Sequence, residues 1–186
     1  MKSVSKIFLS LGSNLGNRLE NLTAAVDELN NQNITIVSVS NVYETSPVDC
    51  SVHSPVFLNA AVEIKTELQP LELIKTILEI EKKIGRKRST VNAPRIIDID
   101  ILLFGKIISS DEKIILPHPR MCERLFVLTP LNEIAAKTIH PVYKKNINQI
   151  YLDAKETSSE KIKIFAPHFS ISPALSVLSV LSVGSV

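Results

Sequence analysis

Two aspartates stand one residue apart in an otherwise apolar segment, Asp98 and Asp100 in APRIIDIDILLFG. Aspartate is depleted in strands. Strand side chains alternate sides, so both carboxylates project from one face with Cα atoms about 6.6 Å apart. Ile97, Ile99, Ile101 and Leu103 take the opposite face and read as core. Like charges side by side on a half-buried strand repel each other and are costly to desolvate. A hard divalent cation removes both costs: Mg²⁺ takes carboxylate oxygens at about 2.0–2.1 Å, with phosphates and waters completing its shell. The competing reading is an edge strand whose solvated face carries two acids.

The flanking residues favour the cation. Glu81 ends a helical stretch, Arg86, Lys87 and Arg88 form a basic loop, and Arg95 precedes the strand. Guanidinium groups offer planar, forked donors that suit phosphate oxygens. Positioning and charge neutralisation are most of what phosphoryl transfer asks of a protein. FLNAAV puts Phe57 and Asn59 on one strand face, a ring beside an amide that donates and accepts. The alternative is Phe57 in the core and Asn59 at a strand edge. LPHPRMCERLFVL adds His118, Arg120, Arg124 and Phe126. Prolines on either side hold His118 in an extended turn, ready to donate to a phosphate, although a lone histidine there is more often a satisfied surface residue. GSNLG (12–16) lacks the lysine and the spacing of phosphate-loop motifs and reads as a strand-to-helix turn.

These residues need elements to position them. SKIFLSL (5–11) predicts a strand, and Asn17 with Glu20 resembles a capping box opening a helix through about residue 30, with Leu19, Leu22, Val26 and Leu29 on one side. ITIVSVSNVYET (34–45) alternates like one strand, and VFLNAAVEIKT (56–66) like another. Pro70 suits helix position N1; Leu71, Ile74, Leu78, Glu81 and Ile84 mark one side of that helix, and Gly85 ends it. The order β-α-β-β-α-β is the ferredoxin-like α+β pattern, an antiparallel sheet with helices on one face. C-terminal additions follow: a helical segment stopped by Pro130 and a weak helix near 146–152. The predicted domain covers residues 1–160, leaving 161–186 as a low-complexity tail, uncharged from Ile164, or a truncated linker.

The chain has 186 residues and a net charge of +2, which predicts no wholesale nucleic-acid binding. Cys50 and Cys122 share no metal-ligand spacing and form no disulfide framework, so a reduced, cytoplasmic protein is expected. The N-terminus reads as no signal peptide. Pro167, Pro173 and serines interrupt the apolar tail, so no membrane span is expected.

LSLGSNLGNR, YETSPV, FLNAAVEI, PRIIDIDILLFG and LPHPRMCERLFVLTPLNEIA, in this order, resemble hydroxymethyl-dihydropterin pyrophosphokinase of folate biosynthesis over about residues 5–152. The resemblance implies the ferredoxin-like fold and transfer of pyrophosphate from ATP to the hydroxymethyl group of a reduced pterin, releasing AMP. It implies that Asp98 and Asp100 bind two Mg²⁺, that Arg86 and Arg95 assist transfer, and that Arg88, His118 and Arg124 contact the nucleotide with Glu81, Lys113 and the Ile101 backbone. The pterin would stack between Phe57 and Phe126, its ring edge read by Asn59 and the backbone around Thr45 and Val48. The loops 46–55 and 85–94 are expected to move as lids. Many members carry Trp-Gly where this chain has Asn92 and Ala93, which implies weaker pterin retention or a lid-defective paralogue. Some members are fused to a dihydropteroate synthase, so such a partner, or a lost fused domain, is expected. The rival from another class is a non-catalytic ferredoxin-like binding module. An RNA reader of that kind is disfavoured by two aspartates on the sheet.

Overall fold

The computed structural model describes residues 6–32, 34–45, 55–86 and 94–167. Val48, Lys87, Arg88, Asn92, Ala93, both proposed lids for most of their length and the tail from 168 lie outside the described residues. The elements are β1 (Ile7–Ser13), α1 (Arg18–Asn31), β2 (Thr35–Val39), β3 (Val42–Thr45), β4 (Phe57–Lys65), α2 (Pro70–Ile84), β5 (Asp98–Phe104), β6 (Ser109–Asp111), β7 (Ile114–Leu116), α3 (Leu125–Ala135), α4 (Ile147–Thr157) and β8 (Ile162–Ala166).

The main sheet runs β5-β1-β4-β3-β8, antiparallel throughout, and β2 also pairs with β4. The expected single strand over 34–45 is therefore two, lying end to end along one edge of β4. Ser40 makes the break tolerable. Its N–H donates to the Ala61 carbonyl at 3.0 Å, and its Oγ accepts from the Ala61 N–H at 2.9 Å, replacing part of the ladder. Counted as one strand, β2–β3 gives the ferredoxin-like β-α-β-β-α-β arrangement.

Two cores flank the sheet. On one face α1 and α2 cover Leu9, Leu11, Leu58, Val62, Ile99 and Ile101; Leu22, Val26 and Leu29 of α1 are buried there as the spacing predicts. The Asn17 side chain accepts from the Glu20 N–H at 3.4 Å, and Gly85 ends α2 at φ 113°, a left-handed conformation that favours glycine. The expected face of α2 is rotated. Leu73, Ile77 and Ile80 are buried with Glu81, while Leu71 and Leu78 are each 40% exposed. Two apolar stripes overlap in LELIKTILEI and both lead to Glu81; the sheet receives the one with Leu73, Ile77 and Ile80.

α1 and α2 thus share one face, as the ferredoxin-like pattern predicts, and the C-terminal additions build a second core on the other. Here α3 and α4 bury Val127, Leu128, Leu131, Ile147 and Ile150 against Phe8, Ala61, Leu102 and Leu103. Leu103 thus faces away from Ile99 and Ile101: a register shift between Phe8 and Leu9, opposite Leu103 and Ile101, turns it over. Pro130 does not stop α3. It lies buried inside the helix, which runs on to Ala135. The one backbone hydrogen bond a proline forfeits is offset by the burial of Leu128, Leu131 and Ala135. The sheet also passes the expected boundary at residue 160, since Ile162–Ala166 pairs with β3.

Candidate active site

The face of the sheet beneath α3 changes character along its strands. Phe8, Ala61 and Leu102 lie in the core, but one or two rungs further the side chains become Ser10, Asn59, Asp100 and Asp98, with Gly12 among them. Register explains the grouping. Asp98 stands opposite Gly12, Gly12 opposite Asn59, and Asn59 opposite Tyr43; on the next same-face rung Asp100 is opposite Ser10. Adjacent strands therefore bring the expected acidic pair and the expected amide onto one surface.

Charge organises the acidic end. Asp98 accepts from Arg86 on Oδ1 and from Arg95 on Oδ2, each at 2.6 Å. Arg86 also pairs with Glu81, whose Oε1 accepts the Ile99 N–H at 2.8 Å. Glu81 is 3% exposed, and burial raises its carboxyl above the ordinary range despite those two donors. Asp100 is pushed up to about 7, first by burial and then by the charges of Asp98 and Glu81. The cluster is thus short of positive charge at Asp100 even with two arginines present. A cation there relieves what raises the carboxyl. Among the described residues no group of three or more His, Cys, Asp and Glu could hold a metal. Two carboxylates suit Mg²⁺, which keeps waters and phosphates as its remaining ligands.

The expected turn at GSN is instead the end of strand β1, Gly12 and Ser13, followed by Asn14, and it acts as a clasp. Buried Asn14 accepts the Arg95 N–H on Oδ1 at 2.7 Å and donates its own N–H to the Arg95 carbonyl at 3.2 Å. Ser13 Oγ donates to the Ile96 carbonyl at 2.5 Å and accepts from Asn21 Nδ2 at 3.1 Å. The backbone of Arg95 is fixed before its side chain reaches Asp98.

At the other end Asn59 donates to Thr45 Oγ1 at 2.8 Å. A Cβ on Gly12 would sit 3.2 Å from Asn59 Oδ1 and 4.0 Å from the Phe57 ring, so any larger residue would press on the amide and oblige it to shift by a few tenths of an ångström. His118 lies after β7, tied by its N–H to the Leu102 carbonyl at 3.0 Å. Its Nδ1 accepts from the Arg120 N–H at 3.2 Å, which leaves the proton of the neutral ring on Nε2. Burial first, then Arg124, lowers its pKa. The Arg124 guanidinium lies 5.5 Å from the centroid of the Phe126 ring. Ile101 is core on β5, and Lys113 is exposed in the turn between β6 and β7. A cleft of about 410 Å³ beside the cluster is lined by Leu78, Glu79, Glu81, Lys82 and Arg86.

The profile of 7,8-dihydro-6-hydroxymethylpterin-pyrophosphokinase (HPPK) matches residues 8–136. The chain belongs to this family. It is 48% identical over 128 residues to the 2-amino-4-hydroxy-6-hydroxymethyldihydropteridine pyrophosphokinase of Bacillus subtilis, covering 68% of this chain and 76% of that protein. It is 39% identical over 136 residues to the folic acid synthesis protein fol1 of Pneumocystis carinii, which covers 73% of this chain but only 18% of that one. The wild-type HPPK-DHPS structure of Plasmodium falciparum shares the fold at TM-score 0.64 and 18% identity, covering 81% of this chain and 45% of that chain. This chain therefore spans a minor part of several relatives it matches. Among the described residues no helix is long and apolar enough to cross a membrane.

Three neighbours of the site escaped the sequence reading. Gly12 and Asn14 were visible only as turn residues, because their partners Asn59 and Arg95 are far along the chain. Glu160, which accepts from the N–H groups of Leu125 and Phe126, carried no signal at all.

Proposed function

We propose that the chain transfers the pyrophosphoryl group of ATP to the hydroxymethyl oxygen of 6-hydroxymethyl-7,8-dihydropterin and releases AMP. The observation that carries this reading is the same-face pair Asp98 and Asp100, flanked by Arg86 and Arg95, in a chain of this family. Asp98 and Asp100 would hold two Mg²⁺, which when bound neutralise the polyphosphate and lower the pKa of the attacking hydroxyl. The hydroxyl oxygen bonds to the β-phosphorus as the bond between that phosphorus and the bridging oxygen to the α-phosphate breaks; the departing electron pair stays with AMP and the hydroxyl proton passes to solvent.

The chain's own residues bind and orient. Arg86 and Arg95 exchange Asp98 for phosphate oxygens, two acceptors of the same forked geometry. His118 Nε2–H, Arg88, Arg124, Lys113 and the Ile101 backbone bind the nucleotide, and Glu81 keeps Arg86 in reach. Phe57 and Phe126 stack on the pterin, while Asn59, Thr45 and Val48 read its edge; stacking contributes about 0.5–1.5 kcal/mol beyond burial. Selectivity then rests on the amide, since an unmatched ring edge leaves buried polar groups unpaired. The pterin diphosphate product suits a dihydropteroate synthase, separate or fused, and the cytoplasm as the place of reaction. Incubating chain, MgCl₂, ATP and the reduced pterin should yield AMP and pterin diphosphate in equal amounts. ADP would indicate an ordinary kinase, and no nucleotide product a binding module.

A further inference from the structure

We propose that Glu160, beyond the stretch matched by the family profile, is a positioning residue that holds Phe126 in place for the pterin. The inference rests on the role given to Phe126 above and adds the device that fixes it.

Helix α3 starts at Leu125, and its N-cap residue, Arg124, makes no side-chain capping bond. The first N–H groups of a helix have no partner within it. Glu160 supplies them from 34 and 35 residues away: Oε1 accepts the Leu125 N–H at 3.3 Å and Oε2 the Phe126 N–H at 3.1 Å. A carboxylate at this end also meets the positive pole of the helix. Glu160 is itself held, its N–H donating to Ser158 Oγ at 3.1 Å. Two residues on, Ile162 begins β8 directly opposite Thr45 of β3. One short segment thus ties the start of α3, which carries Phe126, to the end of β3, which carries Thr45.

Arg124 is less dependent on this contact. Its carbonyl accepts the N–H groups of Val127 and Leu128 at 3.1 and 3.0 Å, and the preceding short turn is anchored by Met121, fully buried in the second core. The backbone amide of Phe126 is held by Glu160. Loss of the carboxylate should therefore loosen the aromatic wall more than the nucleotide contact beside it.

The test uses the full chain, Glu160→Ala and Glu160→Gln. Steady-state KM is measured for 6-hydroxymethyl-7,8-dihydropterin and for ATP, with amide hydrogen exchange followed at residues 125 and 126. Loss of a helix cap corresponds to about a fivefold effect. Glu160→Ala should raise the pterin KM about fivefold with the ATP KM within twofold, and Glu160→Gln, which keeps one acceptor oxygen, should fall between it and the unmodified chain. Exchange at both amides should quicken in the same order. An unchanged pterin KM, an ATP KM that rises equally, or unaltered exchange at those amides would overturn the proposal. An unmodified chain that makes no AMP is a different failure: it removes the pyrophosphokinase reading before any variant is compared.

Discussion

Replacing Asp100 by asparagine should make the metal-free protein more stable while removing its activity. Burial, then the charges of Asp98 and Glu81, push the folded carboxyl up to about 7 from an ordinary 3.8. At about 1.4 kcal/mol per pH unit, holding the ionised form costs the fold about 4 kcal/mol if the whole shift is realised. Solvent reaches this half-buried side chain and screens it, so about 2 kcal/mol is expected. The sign follows from proton counting. Below about pH 4 both folded and unfolded states hold the proton, and the stabilisation is fully present. Between about 4 and 7 the folded state keeps a proton that the unfolded state has lost, so stability falls as pH rises and levels off above 7. Asparagine has the shape of the protonated acid and carries no charge. Urea unfolding in EDTA should therefore find Asp100→Asn about 2 kcal/mol more stable than the unmodified chain at pH 8 and nearly equal to it at pH 4. MgCl₂ with a non-hydrolysable ATP analogue should then stabilise the unmodified chain and leave the variant almost unmoved. A variant less stable in EDTA at pH 8, or an advantage independent of pH, would refute the reasoning.

Gly12→Ala places a methyl 3.2 Å from Asn59 Oδ1; the pterin KM should rise about tenfold with little change in the ATP KM, and steady-state kinetics on both substrates reads the difference. Asn14→Ala removes the acceptor of the Arg95 N–H; kcat should drop at least about tenfold and urea unfolding should show a loss of about 1–2 kcal/mol. His140 is buried, its Nδ1 accepts the Val142 and Tyr143 N–H groups, and burial lowers its pKa. Its contribution is present above about pH 6.5 and lost as acid protonates the ring, so pH-dependent melting should flatten between pH 7 and 5 in His140→Gln.

Local signals in this chain were faithful where one element decided the outcome. The period-two spacing of Asp98 and Asp100, the cap at Asn17 and the left-handed Gly85 all survive in the fold. Decisions made between elements were hidden. The strand break at Ser40 depends on Ala61, and the turnover of Leu103 depends on a register shift against β1. Which stripe of α2 is buried depends on the sheet, because LELIKTILEI offers two. Pro130 is carried inside α3 despite its helix-breaking tendency, because its helix neighbours Val127, Leu128 and Leu131 are buried in a core drawn from distant segments of the chain. The same limit applies to the site. Asp98, Arg86 and Arg95 lie within thirteen residues of one another, close enough to suggest one cluster, whereas Asn14 and Glu160 reach the site only through the folded chain.

The central claim is that Asp98 and Asp100 seat metal against the polyphosphate of ATP. Crystals grown with MnCl₂, a non-hydrolysable ATP analogue and the pterin, measured at the manganese absorption edge, test it directly. The account predicts anomalous peaks at coordination distance, about 2.1 Å, from carboxylate oxygens of both aspartates and from phosphate oxygens. Nucleotide bound elsewhere, or manganese held by phosphate alone with Asp98 still paired to Arg86 and Arg95, would contradict it.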